Sequence, residues 1–263
     1  MPRPSVSLAV ALVLATAVSP ASAVETPRSY KPIPAETGAR ITPAPDLLAT
    51  AKRLRDAAAA KDAEAVFALV ADQVTFASSG ITLGVARRME KKGPYASADE
   101  ALAAIGLAWT EGEPIAPAGK PFDPTASRIA TAMSTIVELV DGAEWGRDPL
   151  VVGGFCTAPG AKWDAKAATA ARIGGERGTF VTAETKARAE PGETAPVVAT
   201  LKPGALYLAG GDEENGWPAV RLPNGKVGWV PPAATRSATP WGLCFLPDGQ
   251  GGWLMSAVVS ALN

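Results

Sequence analysis

Ala219-Val220-Arg221-Leu222-Pro223-Asn224-Gly225-Lys226-Val227-Gly228-Trp229-Val230 is the stretch that decides how the chain folds. Two short β-type runs flank Asn224-Gly225, a pair able to supply the positive φ of a tight hairpin. Gly228 ahead of Trp229 lets a neighbouring backbone pass close to a large ring. The same grammar recurs upstream. Phe180-Val181, Val197-Val198 and Leu206-Tyr207-Leu208 are further strand runs, set apart by Pro203-Gly204, Gly210-Gly211 and Asn215-Gly216. Short strands at roughly ten-residue spacing predict a small β-barrel over residues 178–233.

Four submotifs fall in a fixed order within it. They are Ala187-Arg188-Ala189-Glu190-Pro191, Leu201-Lys202-Pro203-Gly204, Asn215-Gly216-Trp217, and Leu222-Pro223-Asn224-Gly225 running on to Gly228-Trp229-Val230. In these, Thr185–Val230 resembles the bacterial Src-homology-3 (SH3b) domain of secreted and cell-wall proteins. It departs from that pattern at Thr185-Lys186 and at Pro218. The resemblance implies a binding or targeting module whose ligand class is peptidoglycan, through its peptide or cross-bridge. A recognition groove would then be built from Trp217, Tyr207, Arg188 and Glu213, in that order, aromatic rings being good rigid contacts. Trp229 reads as core packing. Asp212-Glu213-Glu214 reads as a solvated loop, or else as a contact for an amine-bearing ligand.

Outward from the barrel, toward the N-terminus, the periodicity changes from two to 3.6. Residues 46–164 predict a helix-rich α+β unit. Asp46 is expected to cap a helix with Leu47, Leu48, Ala51, Leu54 and Ala58 inward, and Asp62 a shorter one with Ala65, Val66, Leu69 and Val70 inward. Gln73–Ala77 reads as a strand around Val74 and Phe76. Ser97 and Glu100 form a capping box for a helix that buries Ala101, Leu102, Ile105 and Trp109. Asp123 or Thr125 opens another, with Ile129, Met133, Ile136, Val137 and Val140 inward. Pro149–Cys156 reads as extended and residues 165–177 as a linker. After the barrel, residues 240–260 predict a hairpin that packs back on the N-terminal unit. Leu54–Ala77 with the late Gly252-Trp253 is similar to secreted bacterial proteins of unknown function that place a helix-rich region before an SH3b domain. The fold class expected is therefore α+β: a helix-rich N-terminal unit, a small SH3-like barrel and a C-terminal hairpin.

Residues 1–23 read as a signal peptide: Arg3, the apolar run Leu8–Val18, and a small-x-small end at Ala21-Ser22-Ala23. The apolar run is too short to span a bilayer, so the mature chain is expected to lack an integral membrane segment and to be exported, periplasmic or extracellular. Residues 24–45, with Pro27, Pro32, Pro34, Pro43 and Pro45, read as an extended leader. In an oxidising compartment Cys156 and Cys244 read as a disulfide, closing a loop of about 88 residues that could stabilise by about 4–5 kcal/mol. The other reading, Cys156 as a nucleophile, lacks the histidine that usually activates a thiol.

The 263-residue chain contains no histidine and carries a formal net charge of −1. Histidine-based triads, histidine-ligated zinc and a histidine pH switch are excluded. A near-neutral charge gives no general pull toward nucleic acid or anionic lipid. Carboxylates remain as catalytic candidates: Glu111/Glu113, Glu138/Asp141 and Glu144/Asp148. All sit at helix ends or in loops where acids are ordinary. No metal or cofactor motif is present, and Gly153-Gly154 and Gly174-Gly175 lack a following Gly-Lys-Ser/Thr. Arg87-Arg88 with Lys91-Lys92 reads as a solvated face or a weak docking patch. The expected function is exported and non-enzymatic, binding peptidoglycan. The rival is an envelope protein–protein adaptor or structural protein, and a third reading is an enzyme acting through carboxylates.

Overall fold

The computed structural model describes residues 29–78, 86–90, 97–109, 122–170, 178–237 and 240–260. The signal peptide, Glu111/Glu113, Gly174-Gly175 and Lys91-Lys92 lie outside them.

Four helices pack on one face of a six-stranded sheet. They are α1 (Pro45–Ala59), α2 (Ala63–Ala68), α3 (Ala98–Leu107) and α4 (Pro124–Asp141). Asp62, Ser97 and Asp123 cap the last three, accepting from Ala65, Glu100, and Thr125 with Ala126 respectively; each satisfies backbone donors that the first turn leaves unpaired. The first helix differs from expectation. Ala44 is its N-cap, Pro45 takes the first turn, and Leu48 lies outward at 43% exposure. Asp46 instead accepts from the Leu47 amide and, at 2.9 Å, from the Trp253 indole.

The sheet runs β3 (Ala86–Glu90), β2 (Val70–Ser78), β15 (Trp253–Ser260), β14 (Gly242–Pro247), β5 (Phe155–Cys156), β4 (Gly146–Arg147). The C-terminal hairpin does more than pack back: it supplies the two central strands, with β15 parallel to β2. Its faces are set by alternation on either side of a bulge at Ser256, which puts Met255 and Ala257 on opposite sides. Leu243, Phe245, Met255 and Val258 join the helices in the main core, while Cys244, Ala257 and Val259 face away with Cys156 and Val151. Trp109 is 2% exposed, and its indole donates to the Val259 carbonyl at 3.2 Å. Residues 149–153 form turns, so only the end of the expected extended run is strand.

Cys156 and Cys244 stand directly opposite on β5 and β14 and are disulfide-bonded. Both are fully buried.

The second sheet has nine strands. Its main path is β13 (Thr235–Ser237), β7 (Gly178–Val181), β10 (Ala205–Ala209), β11 (Ala219–Arg221), β12 (Val227–Trp229), β8 (Thr185–Arg188), β9 (Val197–Leu201). The ends β13 and β9 do not meet, so the expected barrel is an open, SH3-like sheet. Ala187, Leu201, Tyr207, Val220, Leu222 and Val230 fill its inner side. The two departures from the family pattern do not break pairing. Thr185 and Lys186 pair with Leu201 and Thr200, and the Pro218 carbonyl accepts from the Val230 amide at 3.1 Å.

The proline-rich leader is not a free tether. Its β1 (Ile33–Thr37) pairs with Ala205 and Leu206 of β10, then with β6 (Ala161–Trp163). Because β7 takes the other edge of β10, β1 fills the half-edge that β11 leaves. Tyr30 fixes the start: its hydroxyl donates to the Arg221 carbonyl and accepts from the Leu208 amide at 3.2 Å. The expected linker opens with a helix, α5 (Ala165–Ala170), capped by Asp164. Ile33, Ala161, Ala168, Phe180, Leu206 and Leu208 form a small core on the outer side of β7 and β10.

Candidate functional site

One rung crosses the outer side of the SH3-like sheet. Val197 on β9 faces Arg188 on β8, Arg188 faces Trp229 on β12, and Trp229 faces Ala219 on β11. Alternation explains the placement on β8 and β12, since successive residues of a strand point to opposite faces, and on β9 a bulge brings Val197 opposite Arg188. Gly228 and Val230 turn inward, so Trp229 turns out. A Cβ at Gly228 would stand 3.0 Å from the Ala187 side chain and 3.2 Å from Val198, so glycine lets β8 and β9 lie close to β12 without displacing either side chain. Trp229 is half-buried and its indole nitrogen is enclosed without a hydrogen-bond partner. Trp229 lies outside the buried clusters that fill the sheet, on the opposite side from Val220, Leu222 and Val230.

Trp217 joins this side. Glu214 and Trp217 exchange both backbone hydrogen bonds around Asn215 and Gly216, at φ 50° and 78°. Two successive positive φ values define the turn that matches strand twist, which is why Asn-Gly occupies it. The β11–β12 register continues through Pro218 and Val230, so Trp217 follows Ala219 on the outer face, diagonal to Trp229. The second Asn-Gly pair works differently. Leu222 and Lys226 close a three-residue loop in which Gly225 has φ 84°, and Asn224 accepts from the Lys226 amide.

Arg188 is half-buried and donates to the Ala195 carbonyl at 2.6 Å, which anchors its guanidinium beside the rung. Glu213 is exposed with Asp212 and Glu214 on the hairpin that carries Trp217. Tyr207 does not belong here. It is 4% exposed in the inner core, and its hydroxyl engages the Lys202 amide and carbonyl at 3.2 and 3.4 Å. Of the four expected residues, Arg188 lies on the rung with Trp229 and Val197, Trp217 lies beside it, Glu213 sits in the exposed loop before Trp217, and Tyr207 is inside. The signal that could have found Trp229 was the inward demand of its two neighbours.

The acids do structural work. Both oxygens of buried Asp148 are taken by backbone amides, Leu150 at 2.7 Å and Gly160 at 2.6 Å. Burial raises its pKa, against the lowering effect of those amides. Glu144 pairs with Arg40 and, at 3.8 Å, with Arg236 of β13. Asp141 holds Arg55 through two bonds of 3.0 and 2.9 Å, and that guanidinium depresses the Asp141 pKa. Glu138 is exposed on α4. Among the described residues no group of three or more metal-ligating side chains converges, and no helix is long and apolar enough to cross a membrane.

An open, aromatic-faced sheet of short strands with Gly-governed turns defines a small SH3-type module. Residues 181–236 match the family model of the bacterial SH3 domain, and this segment of the chain is such a domain. No curated protein and no solved structure matches the chain, and the similarity of the N-terminal unit to secreted proteins finds no support there.

Proposed function

We propose that this chain is an exported binding protein whose bacterial SH3 domain targets peptidoglycan through its peptide, without catalysis of its own. The observation that carries the reading is the outer rung. Arg188, Trp229 and the neighbouring Trp217 set two half-buried indoles and an anchored cation on adjacent strands. Tryptophan and arginine are the side chains that most often dominate binding energy, because they offer large rigid area and directed donors. Export is supported by the Arg3, Leu8–Val18 and Ala21-Ser22-Ala23 pattern and by a disulfide that an oxidising compartment would preserve. The absence of histidine and the occupied state of Asp141, Glu144 and Asp148 argue against hydrolysis.

The test is co-sedimentation of the mature chain with purified peptidoglycan sacculi, with the supernatant assayed for released sugar or peptide. Binding without product, lost in Trp217→Ala, is expected. Retained binding in that variant would refute the rung, and soluble product would make the protein an enzyme.

A second reading is an envelope protein–protein adaptor. It is favoured by the way β1, β6 and α5 cover part of the outer side of the sheet and tie it to the helical unit. No sedimentation at physiological salt selects it.

A further inference from the structure

Terminal strands are where sheets recruit other chains, and proteins blunt them with charge, proline or brevity. Three terminal strands here obey that rule. β3 reads Ala-Arg-Arg-Met-Glu, β6 Ala-Lys-Trp and β13 Thr-Arg-Ser, and the outer edge of β4 is bridged by Arg40. β9 does not. It is a five-residue Val-Val-Ala-Thr-Leu strand without a charge, paired on one side only among the described residues. Val197 and Val198 are 48% and 40% exposed, two of the five large apolar side chains exposed among the described residues.

The flanks of β9 say what fits. Glu190 and Glu193 are exposed before it, and Lys202 is exposed just after it. In an antiparallel pair of identical strands the acidic end of one lies beside the basic end of the other, and symmetry repeats the match. We propose that two copies of this chain associate edge to edge through β9, extending the SH3 sheet across a twofold axis. A twofold between antiparallel strands is perpendicular to the sheet, so both outer rungs emerge on the same side. Two weak ligand faces on one rigid sheet bind a polymer far more tightly than one, without any new contact. This self-association is independent of what the ligand is.

Sedimentation velocity of the full mature chain at tens of micromolar tests it. The expected species has the mass of two chains. Thr200→Lys, at an exposed edge position, should halve that mass while leaving the circular dichroism spectrum in place and melting cooperative, at a midpoint that no longer depends on protein concentration. Lys202→Glu should weaken the dimer, and adding Glu193→Lys should restore it. A wild-type monomer overturns the proposal and leaves the edge to an extended strand of another protein. A dimer that survives Thr200→Lys and ignores the charge exchange also overturns it, since another surface then holds the copies together.

Discussion

The helix–sheet unit seals Trp109 and Phe245 in a large core and leaves Trp145, Trp241 and Trp253 half-buried at its margin, whereas both tryptophans of the SH3 segment are half-buried. Trp109 and Phe245 are sealed between four helices and the central strands. Trp217 and Trp229 lie along one side of a three-strand surface, over a far smaller core. The difference lies in the core beneath the rings: four helices and a six-stranded sheet in one region, a single layer of short strands in the other. Neither region stands alone, because each borrows an element from the far end of the chain. The helical unit takes β14 and β15 from residues after the SH3 domain, and the SH3 sheet takes β1 from residues before the helices.

The largest effect should come from removing residues 240–260. That deletion takes two of six strands and leaves the apolar faces of α1 and α4 uncovered. Loss of cooperative melting and of the near-ultraviolet signal is expected; a helical unit that still melts sharply would show that the hairpin is only appended. Next is the Cys156→Ser/Cys244→Ser pair. Its bridge closes 88 residues that contain the whole SH3 segment. Loss of about 2–5 kcal/mol should follow in denaturant titration of the oxidised and mutant proteins.

Tyr30→Phe probes the opposite loan. Two hydrogen bonds vanish, at about 0.5–1.5 kcal/mol each, so about 1–3 kcal/mol is at stake. Burial lifts the Tyr30 pKa from 10.0 to about 12. A phenol whose pKa is raised by folding stabilises fully below pH 10 and loses that contribution as pH climbs toward 12. The stability gap between wild type and Tyr30→Phe should therefore shrink over that window, and a constant gap would place the hydroxyl elsewhere. The smallest effect belongs to Trp217→Ala. On a half-exposed hairpin it should change stability by no more than about 1 kcal/mol while abolishing sacculus binding. A severe loss of stability would make Trp217 a packing residue like Trp109.

Much of this was legible in the residues. The caps Asp62, Ser97 and Asp123 and the i, i+3, i+4 spacing placed three helices, and the Asn-Gly, Gly-Gly and Pro-Gly turns placed five of the seven main-path strands, leaving out β8 and β13. The strand pairing that joins β15 to β2 was not legible. Period-two alternation states which face is buried but not which distant strand lies alongside. Nor was β1, because Pro32 and Pro34 look like leader until a half-edge of β10 is known to be vacant. Tyr207 and Trp229 were exchanged for a related reason. β10 is buried on both sides, by the inner core and by β1, β6 and α5, so its run of apolar residues shows no alternation to mark Tyr207 as inward.

Hydrogen exchange of the full mature chain, with and without soluble peptidoglycan fragments, tests the central claim most directly. Slowed exchange is predicted in two stretches alone, residues 214–230 and the β8–β9 segment around Arg188, with α1–α4 unchanged. Protection on the helices with none on those strands would assign recognition to the other unit and contradict the account.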